Sequence, residues 1–260
     1  MTLRGVLLDL DGTVYHGENP LPGAADAVTR LREAGLSLCF FSNNPLHDGE
    51  AYVDRLQSMG VDARPGEAYS SAAVTRSYLH DNHAGEDVFV IGSDAISGYV
   101  GETDATVVSE PHGADVLLGS WTDEFHYRDM VAALRAVDEE TTFLGTDPDP
   151  TFPDDEGNPQ PGSGAILRAI SGVVEREPDR ILGKPSSVAA EAALDMLGHP
   201  PEECLVVGDR LDTDILLGQR AGMQTALVRS GVTDEAGLAE SDVTPDYVLD
   251  SLADIDGVVS

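Results

Sequence analysis

The sequence predicts an α/β fold, in which helices cover both faces of a doubly wound, Rossmann-like parallel sheet. Two observations carry this prediction. Short, continuous apolar runs recur along the chain, and amphipathic segments with helical periodicity separate them. Continuous apolar runs are typical of strands that are buried on both faces, and such strands belong to parallel sheets covered by helices.

The predicted elements alternate along the chain. Apolar runs predict strands at Arg4–Leu10, Leu36–Phe41, Val88–Ile91, Val116–Gly119, Thr142–Thr146, Arg180–Leu182, Cys204–Val207, Thr225–Val228 and Tyr247–Leu249. Amphipathic segments predict helices at Ala24–Glu33, Gly49–Met59, Ser71–Asn82, Ala95–Val100, Tyr127–Val137, Gly164–Glu175, Val188–Leu197 and Asp212–Ala221. Glycine follows several helix ends, at Gly35, Gly60 and Gly222, as expected for a left-handed helix cap.

One stretch interrupts this alternation. Residues 146–164 are rich in proline, glycine and aspartate and are too long for a plain connection, which is typical of a functional or disordered loop. The middle of the chain has strands and helices of its own, and the two flanks resemble each other more than the middle. We therefore expect one domain from residues 1–82 and 179–260, and an inserted domain from residues 83–178.

Charge and composition exclude several classes of protein. The 260 residues include 47 Asp+Glu and 15 Lys+Arg, a formal net charge of −32, which disfavours nucleic acid or an anionic membrane surface as a partner. No apolar run reaches the roughly 18 residues of a membrane span, and the N-terminus does not resemble a signal peptide. Cys39 and Cys204 lie in apolar runs, so we expect buried thiols, no disulfide framework and a cytoplasmic location.

The basic residues are unevenly chosen, because all are arginine except Lys184. An acidic excess with almost no lysine is typical of a protein adapted to high salt, where screening weakens self-repulsion. The alternative is an acidic protein that works at ordinary salt concentration. If the composition disfavours lysine everywhere, the position that keeps one is a candidate functional residue.

The first candidate site follows the first strand. Asp9 and Asp11 stand two residues apart at its end, and Gly12 lets the backbone turn sharply. Paired carboxylates of this kind suit Mg²⁺, a hard cation that takes oxygen ligands. An ordinary turn is the alternative. A calcium-binding loop is excluded, because counting from Asp9 its twelfth position would be Pro20 rather than Glu.

Two further candidate sites follow later strands. Ser42, Asn43 and Asn44 come after the second long strand, where a hydroxyl and amides can bind an oxyanion; an Asx turn or a helix cap is the alternative. Lys184 follows the short strand at 180–182 and offers a compact positive charge for phosphate. The alternative for Lys184 is a surface lysine in a turn.

The fourth candidate site lies at another junction of strand and helix. Asp209 stands at the strand end, and Asp214 lies one helical turn into the next element. The alternative is that Asp212 caps the helix and the other acids merely favour its N-terminus.

The order of the four groups resembles the four motifs of the haloacid dehalogenase-like (HAD) hydrolase superfamily. The resemblance covers nearly the whole chain and is strongest to the NagD-type branch, which includes 4-nitrophenyl, phosphoglycolate and nucleotide phosphatases. That branch inserts a large α/β cap between its second and third motifs, where residues 83–178 lie here. Residues 145–164 resemble its cap signature, although the family usually has Asn where this chain has Asp147.

The resemblance implies Mg²⁺-dependent hydrolysis of a small phosphate monoester through an aspartyl-phosphate. Asp9 would be the nucleophile, and Asp11 would protonate the leaving oxygen and then activate water. Asp9 and Asp209 would give side-chain ligands to Mg²⁺, and Asp11 its backbone carbonyl. Asp214 would support the metal shell from behind.

The implied phosphate site consists of Ser42, Asn43, Asn44 and Lys184, which would hold the non-bridging oxygens. The expected partner is a small phosphorylated metabolite, such as a sugar phosphate, a nucleotide, glycerol phosphate or phosphoglycolate; a homo-oligomer is left open. Two alternatives remain. A haloacid dehalogenase attacks carbon with the same nucleophile but has no role for a second Asp or a metal. A catalytically inactive HAD fold would serve as a binding or regulatory protein.

Overall fold

The computed structural model describes residues 2–154 and 158–259. Its strands are β1 (Gly5–Asp9), β2 (Tyr15–His16), β3 (Asn19–Pro20), β4 (Ser37–Ser42), β5 (Ala68–Ser70), β6 (Asp87–Ile91), β7 (Thr106–Val108), β8 (Val116–Gly119), β9 (Thr142–Gly145), β10 (Thr151–Pro153), β11 (Pro159–Pro161), β12 (Arg180–Ile181), β13 (Cys204–Gly208), β14 (Gln224–Val228) and β15 (Tyr247–Leu249). Its α-helices are α1 (Ala24–Glu33), α2 (Gly49–Ser58), α3 (Ser71–Asn82), α4 (Asp94–Gly101), α5 (Tyr127–Ala136), α6 (Ser163–Val174), α7 (Ser187–Leu197), α8 (Leu216–Ala221), α9 (Glu235–Glu240) and α10 (Asp256–Val259).

The larger sheet is parallel and has six strands in the order β15-β14-β13-β1-β4-β5. Strand β1 lies between β13 and β4, so the chain reverses its direction of growth there. Because all strands point the same way, the residues after β1, β4 and β13 meet at one edge of the sheet. Ligands bind at such a switch point in open α/β sheets.

Strand β1 shows why the apolar runs are continuous. Val6 and Leu8 face a core that helices α1 and α2 cover, whereas Leu7 faces a second core with α3 and α7. All three side chains are fully buried. Successive residues of a strand point to opposite faces, so a strand covered on both sides needs apolar residues at each position.

The second sheet has five parallel strands in the order β12-β9-β8-β6-β7. One face shares the second core with the larger sheet, and α5 and α6 cover the other. Strand β12 pairs with β9, so the chain returns to the larger sheet only after Ile181. The division into residues 1–82 with 179–260 and residues 83–178 stays a prediction.

The predicted fold class is confirmed, and the predicted long strands and helices all occur with ends shifted by at most two residues, except the last helix. That helix begins later, because Leu211–Ile215 forms a wider, π-helical turn before α8. The two hairpins, β2–β3 and β10–β11, and the short strands β5 and β7 were not predicted. Each of these elements has only two or three residues of mixed character, whereas the equally short β12 and β15 were predicted from the apolar runs at 180–182 and 247–249.

The structure also bears on the cysteines and on membrane-spanning helices. Cys39 and Cys204 are buried and unpaired, as expected. Within residues 2–154 and 158–259, no helix has both the length and the apolar character needed to cross a membrane.

Candidate active site

The loop after β1 turns back on itself and presents two carboxylates. The Leu10 carbonyl accepts hydrogen bonds from the backbone amides of Thr13, Val14 and Tyr15 at 3.2, 2.8 and 3.2 Å, which winds the loop into a tight turn. Gly12 has a φ of 83°, a left-handed conformation that side chains disfavour. Asp9, the last residue of β1, and Asp11 therefore enter the same cleft.

Lys184 lies at the bottom of this cleft and joins two carboxylates. Its Nζ donates to Asp9 Oδ1 at 2.5 Å, to Asp214 Oδ1 at 2.7 Å and to the Phe41 carbonyl at 3.1 Å. Only 1% of the lysine surface is exposed, so the alternative of a surface lysine is wrong. We call Asp9, Lys184, Asp209 and Asp214 the floor of the cleft.

Asn43 fixes the backbone of Lys184. Its side-chain Oδ1 accepts from the Lys184 amide at 2.8 Å, and its Nδ2 donates to the Lys184 carbonyl at 3.0 Å. This two-point contact joins residues that are 141 positions apart in the sequence. It holds Lys184, which follows β12, against the loop after β4 at the edge of the larger sheet. The Asn43 side-chain amide is thus engaged, and its backbone carbonyl accepts from Ser71 Oγ at 2.6 Å; Asn43 and Ser42 both line the cleft.

Asn44 forms the turn that was the alternative for its motif. Its side-chain Oδ1 accepts a hydrogen bond from the Leu46 backbone amide at 2.9 Å, and its backbone amide donates to Ser42 Oγ at 3.1 Å. All three residues of this motif nevertheless line the cleft. The side chain of Asn44 is an Asx turn, which holds Ser42 and the loop in place.

Asp209 and Asp214 use their oxygens differently. Both Asp214 oxygens have partners, since Oδ1 accepts from Lys184 and Oδ2 from the Arg210 amide at 3.1 Å. Asp209 Oδ2 accepts from the Val232 amide at 2.6 Å, but its Oδ1 is buried and finds no hydrogen-bond partner among the described residues. Asp212 does not cap a helix; it pairs with Arg210 at 3.3 Å.

The floor carries excess negative charge. Asp9, Asp209 and Asp214 place carboxylate oxygens within 4.8 Å of one another, and one ammonium leaves two formal negative charges. Burial and the charge of Asp214 raise the pKa of Asp9, whereas the charge of Lys184 lowers it. Burial and the charge of Asp214 also raise the pKa of Asp209, to about 7. Burial alone would lower the pKa of Lys184, but the charges of Asp214 and Asp9 raise it above its usual value, so the amine stays charged.

A divalent cation fits this floor. A buried carboxylate oxygen without a donor is costly, and Asp209 Oδ1 is such an atom. Mg²⁺ prefers oxygen ligands, and a divalent cation would offset the two surplus negative charges. The side chain of Asp11 is not part of the cluster.

Asp11 sits higher in the cleft, among groups that moderate its charge. Burial raises the pKa of its carboxyl group, whereas Arg55 and the Tyr15 hydroxyl lower it. The guanidinium of Arg55 lies 4.6 Å from the centre of the Tyr15 ring and donates to the Gly17 carbonyl at 2.8 Å. These contacts tie the β2–β3 hairpin to helix α2 beside Asp11.

The cleft has a volume of about 390 Å³. Residues of the second sheet and its loops line its opening. We call Trp121, Asp147, Asp149 and Phe152 the rim. The Trp121 and Phe152 rings meet edge to face, with centroids 5.8 Å apart, and the indole N–H donates to a hairpin carbonyl at 3.1 Å. Asp149 Oδ1 lies 3.9 Å from Arg210 Nε, which connects the rim to the larger sheet.

Asp147 is the most buried carboxylate of the rim, with 2% of its surface exposed. Its oxygens accept from Thr146 Oγ1 at 3.0 Å and from the Asp149 amide at 3.2 Å. Burial, followed by the charge of Asp149, raises the pKa of Asp147 to about 8.

Besides Arg55 and Trp121, sequence reasoning missed three residues that surround the floor. Arg210 and Val232 contact the floor through backbone amides, and Gly231 leaves room for Asp209. Backbone contacts leave no trace in residue type, so Arg210 and Val232 carried no signal. Gly231 follows a strand end in a short loop, which was the one available hint.

Comparisons with known proteins show what the chain is similar to. A family model described as haloacid dehalogenase-like hydrolase matches residues 6–106, and one described as HAD-hydrolase-like matches residues 181–255. The sugar-phosphatase AraL of Bacillus subtilis is 32% identical over 251 residues, which cover 96% of this chain and 91% of that protein. The acid sugar phosphatase of Staphylococcus haemolyticus is 32% identical and covers 96% of this chain and 94% of its own.

Solved structures show the same likeness over the whole chain. The p-nitrophenyl phosphatase from Archaeoglobus fulgidus superposes with a TM-score of 0.89 at 30% identity and covers 98% of both chains. NagD from E. coli K-12 gives a TM-score of 0.86 at 30% identity and covers 98% of this chain and 99% of its own. The chain therefore belongs to the haloacid dehalogenase-like hydrolases, and it is an enzyme of the NagD-type phosphatase group within that family.

Proposed function

We propose that this enzyme hydrolyses small phosphate monoesters in a Mg²⁺-dependent reaction that passes through an aspartyl-phosphate on Asp9. The observation that carries the proposal is the buried contact of 2.5 Å between Lys184 Nζ and Asp9 Oδ1. A carboxylate nucleophile needs a fixed cation next to it, because it must approach a phosphate dianion. In the proposed reaction Lys184 would hold a phosphoryl oxygen at the point of attack, together with Ser42 and the Asn43 backbone.

Mg²⁺, held by the side chains of Asp9 and Asp209 and by the Asp11 carbonyl, would supply positive charge that offsets repulsion between nucleophile and phosphate. The unpartnered Oδ1 of Asp209 supports this ligand set. Asp214 already has partners on both oxygens, which supports its role behind the metal shell.

In the first step, an Asp9 oxygen bonds to phosphorus, and the bond from phosphorus to the leaving oxygen breaks. Asp11 gives its proton to that oxygen; burial raises the pKa of Asp11, which favours the protonated form this role requires. In the second step, Asp11 takes a proton from water as the water oxygen attacks phosphorus. The bond from phosphorus to Asp9 breaks, and inorganic phosphate and free Asp9 result.

We propose a sugar phosphate as the substrate class, with 4-nitrophenyl phosphate as a convenient artificial substrate. The names of the relatives from Bacillus subtilis and Archaeoglobus fulgidus support this choice. The rim supports it too, because Trp121 and Phe152 offer ring surfaces on which the flat, C–H-rich face of a sugar can pack. Residues 83–178 would form the cap that carries this rim.

The test separates the two carboxylates of the first motif. With 4-nitrophenyl phosphate and Mg²⁺, Asp9→Asn should form no phosphoenzyme and show no burst. Asp11→Asn should release about one equivalent of nitrophenolate rapidly and then turn over slowly, because nitrophenolate needs little protonation whereas water needs a base. General acid–base help is worth about 10²–10⁴-fold, so rapid mixing should resolve the two phases.

A burst from Asp9→Asn would contradict the assignment of the nucleophile. A wild-type enzyme that hydrolyses no phosphate monoester would favour the alternative, a binding or regulatory protein on an inactive HAD fold. Convergence of Asp9, Asp11, Lys184 and Asp209 on one cleft argues against that alternative.

We further propose a cytoplasmic enzyme adapted to high salt, which acts on a small metabolite without nucleic acid or membrane as partner. The formal charge of −32 and the buried position of Lys184, the only lysine, support it. Self-repulsion should loosen the fold in dilute buffer and be screened in molar KCl. The melting temperature should therefore rise steeply with KCl, and a flat response would contradict salt adaptation.

A further inference from the structure

The loop that follows β14, Ser230–Thr233, wraps around Asp209. The Val232 amide donates to Asp209 Oδ2 at 2.6 Å, and the Thr233 amide donates to the Asp209 carbonyl at 3.2 Å. The Val232 side chain itself is 63% exposed, so this residue serves the site through its backbone. Asp209 is therefore held at both its side chain and its main chain by one loop.

Two glycines leave room for the Asp209 carboxylate. A Cβ atom at Gly231 would lie 2.0 Å from Asp209 Oδ2 and 2.5 Å from its Cγ, and a Cβ at Gly12 would lie 2.5 Å from Oδ2. Gly12 also has a positive φ, whereas Gly231 does not. Gly231 is thus required for space rather than for its backbone conformation, and the carboxylate is enclosed between two glycine backbones.

Ser230 joins the two sides of this enclosure. Its Oγ donates to the Gly12 carbonyl at 2.7 Å, and its carbonyl lies 3.0 Å from His16 Nε2, which must donate because a carbonyl only accepts. The loop after β14 is thereby fixed to the loop after β1. Neither glycine can move away from Asp209 without breaking these contacts.

The enclosure counteracts a strong repulsion. Asp209 shares the floor with Asp9 and Asp214, whose carboxylate oxygens lie within 4.8 Å of its own, and like charges repel strongly in a buried site. A carboxylate held by a single amide could turn away from this repulsion. Held between Gly12 and Gly231, it keeps Oδ2 on the Val232 amide, which leaves Oδ1 as the oxygen without a hydrogen-bond partner among the described residues.

We propose that Ser230, Gly231 and Val232 form a positioning brace, which fixes Asp209 Oδ2 so that Oδ1 is presented to a divalent cation. The proposal rests on the Mg²⁺ dependence proposed above. It assigns no chemical step to the loop. Its consequence is that cation affinity depends on residues that touch neither the cation nor the substrate.

The direct test measures Mn²⁺ binding to the full-length protein by the electron paramagnetic resonance signal of free Mn²⁺. Gly231→Ala should weaken Mn²⁺ binding by about 10–100-fold, the usual effect of losing a group that orients a metal ligand. Ser230→Ala should weaken it less, and Ser230→Thr, which keeps the hydroxyl, should restore most of the affinity. Gly172→Ala is the matched control, because a Cβ there meets no atom within 4 Å.

A positioning role also predicts a distinctive kinetic result. In Gly231→Ala the Mg²⁺ concentration for half-maximal rate should rise by a similar factor, while kcat at saturating Mg²⁺ changes much less. A merely structural glycine would instead lower the metal-free melting temperature and leave Mn²⁺ affinity unchanged, which would overturn the brace. If Gly231→Ala does not fold, equal Mn²⁺ affinities for Ser230→Ala and Ser230→Thr would overturn it.

The outcomes distinguish the brace from the function on which it rests. A wild-type protein that hydrolyses 4-nitrophenyl phosphate without binding Mn²⁺ would overturn both the metal dependence and the brace. Wild-type Mn²⁺ binding and turnover with unaffected variants would overturn the brace alone.

Discussion

The floor and the rim of the cleft hold their charges in different ways. On the floor, Lys184 contacts Asp9 and Asp214 at 2.5 and 2.7 Å, and these groups are almost wholly buried. At the rim, Asp149 lies 3.9 Å from Arg210, and both side chains retain 15–19% exposure. The ion pairs of the floor are short and buried, whereas the Asp149–Arg210 contact of the rim is longer and partly exposed.

This difference suggests a division of labour under the proposed function. Every substrate shares the phosphoryl group, so the groups that meet it can be fixed. Leaving groups differ, so the surface that meets them needs an opening and some adaptability. Variants of the floor should then affect all substrates alike, whereas variants of the rim should change their ranking.

The largest effect is expected from Lys184→Met. It would remove phosphate binding and leave two buried carboxylates without their cation, which typically costs about 3–5 kcal/mol of stability. We expect kcat/KM to fall by orders of magnitude for every substrate, together with a clear loss in urea unfolding. Arg135→Met, an exposed cation in α5, is the control. Near-wild-type kinetics for Lys184→Met would contradict a role for this lysine in the reaction.

A smaller, selective effect is expected from Asp149→Asn. The change weakens the contact with Arg210, so the rim should hold large leaving groups less well. We expect kcat/KM for sugar phosphates to change by about tenfold, or about 1.4 kcal/mol, relative to 4-nitrophenyl phosphate. The control is Asp123→Asn, an exposed carboxylate outside the cleft. A common factor for all substrates would mean that the rim serves general closure rather than selection.

The third effect concerns Asp147 and the pH dependence of the free energy of unfolding. Its pKa is about 8 in the folded protein, against about 3.9 in an unfolded chain. The folded state therefore binds the proton more tightly, and stability should fall as pH rises from about 4 to about 8. Asp147→Asn should remove this loss and be more stable than wild type at alkaline pH by at least about 1 kcal/mol.

Chemical denaturation at about pH 5 and about pH 9 would measure the Asp147 effect. Asp149→Asn is an informative companion, because the charge of Asp149 is one cause of the raised pKa and its removal should narrow the affected pH range. Parallel stability curves for wild type and Asp147→Asn would contradict the assignment.

The fold was largely predictable because burial on both faces imposes a pattern that sequence displays. Strands β1 and β13 lie in the middle of the larger sheet and are apolar at every position except Asp9. Strand β7, at an edge of the second sheet, is largely exposed and only three residues long, so it has no such pattern. The edge strand β15 is equally short and exposed but was predicted because Tyr247–Leu249 is apolar throughout, whereas β7 begins with Thr106 and offers only two apolar residues.

The candidate site was predictable to the extent that chemistry depends on residue type. Carboxylates at strand ends and one lysine in an acidic chain indicated the floor, and the structure brings them together. The clamp of Asn43 on the Lys184 backbone could not be predicted, because it joins positions 141 residues apart. The same holds for Gly231, whose importance depends on how closely Asp209 approaches it.

The burial of Lys184 has a consequence for chemical labelling. Since it is the only lysine in the sequence, the folded chain presents no exposed ε-amine to acylating reagents. Acylation at Lys184 requires Nζ to leave its contacts with Asp9, Asp214 and Phe41, so its rate reports how often those contacts open. The active site thus contains a built-in reporter of its own local unfolding, readable by mass spectrometry at a single position.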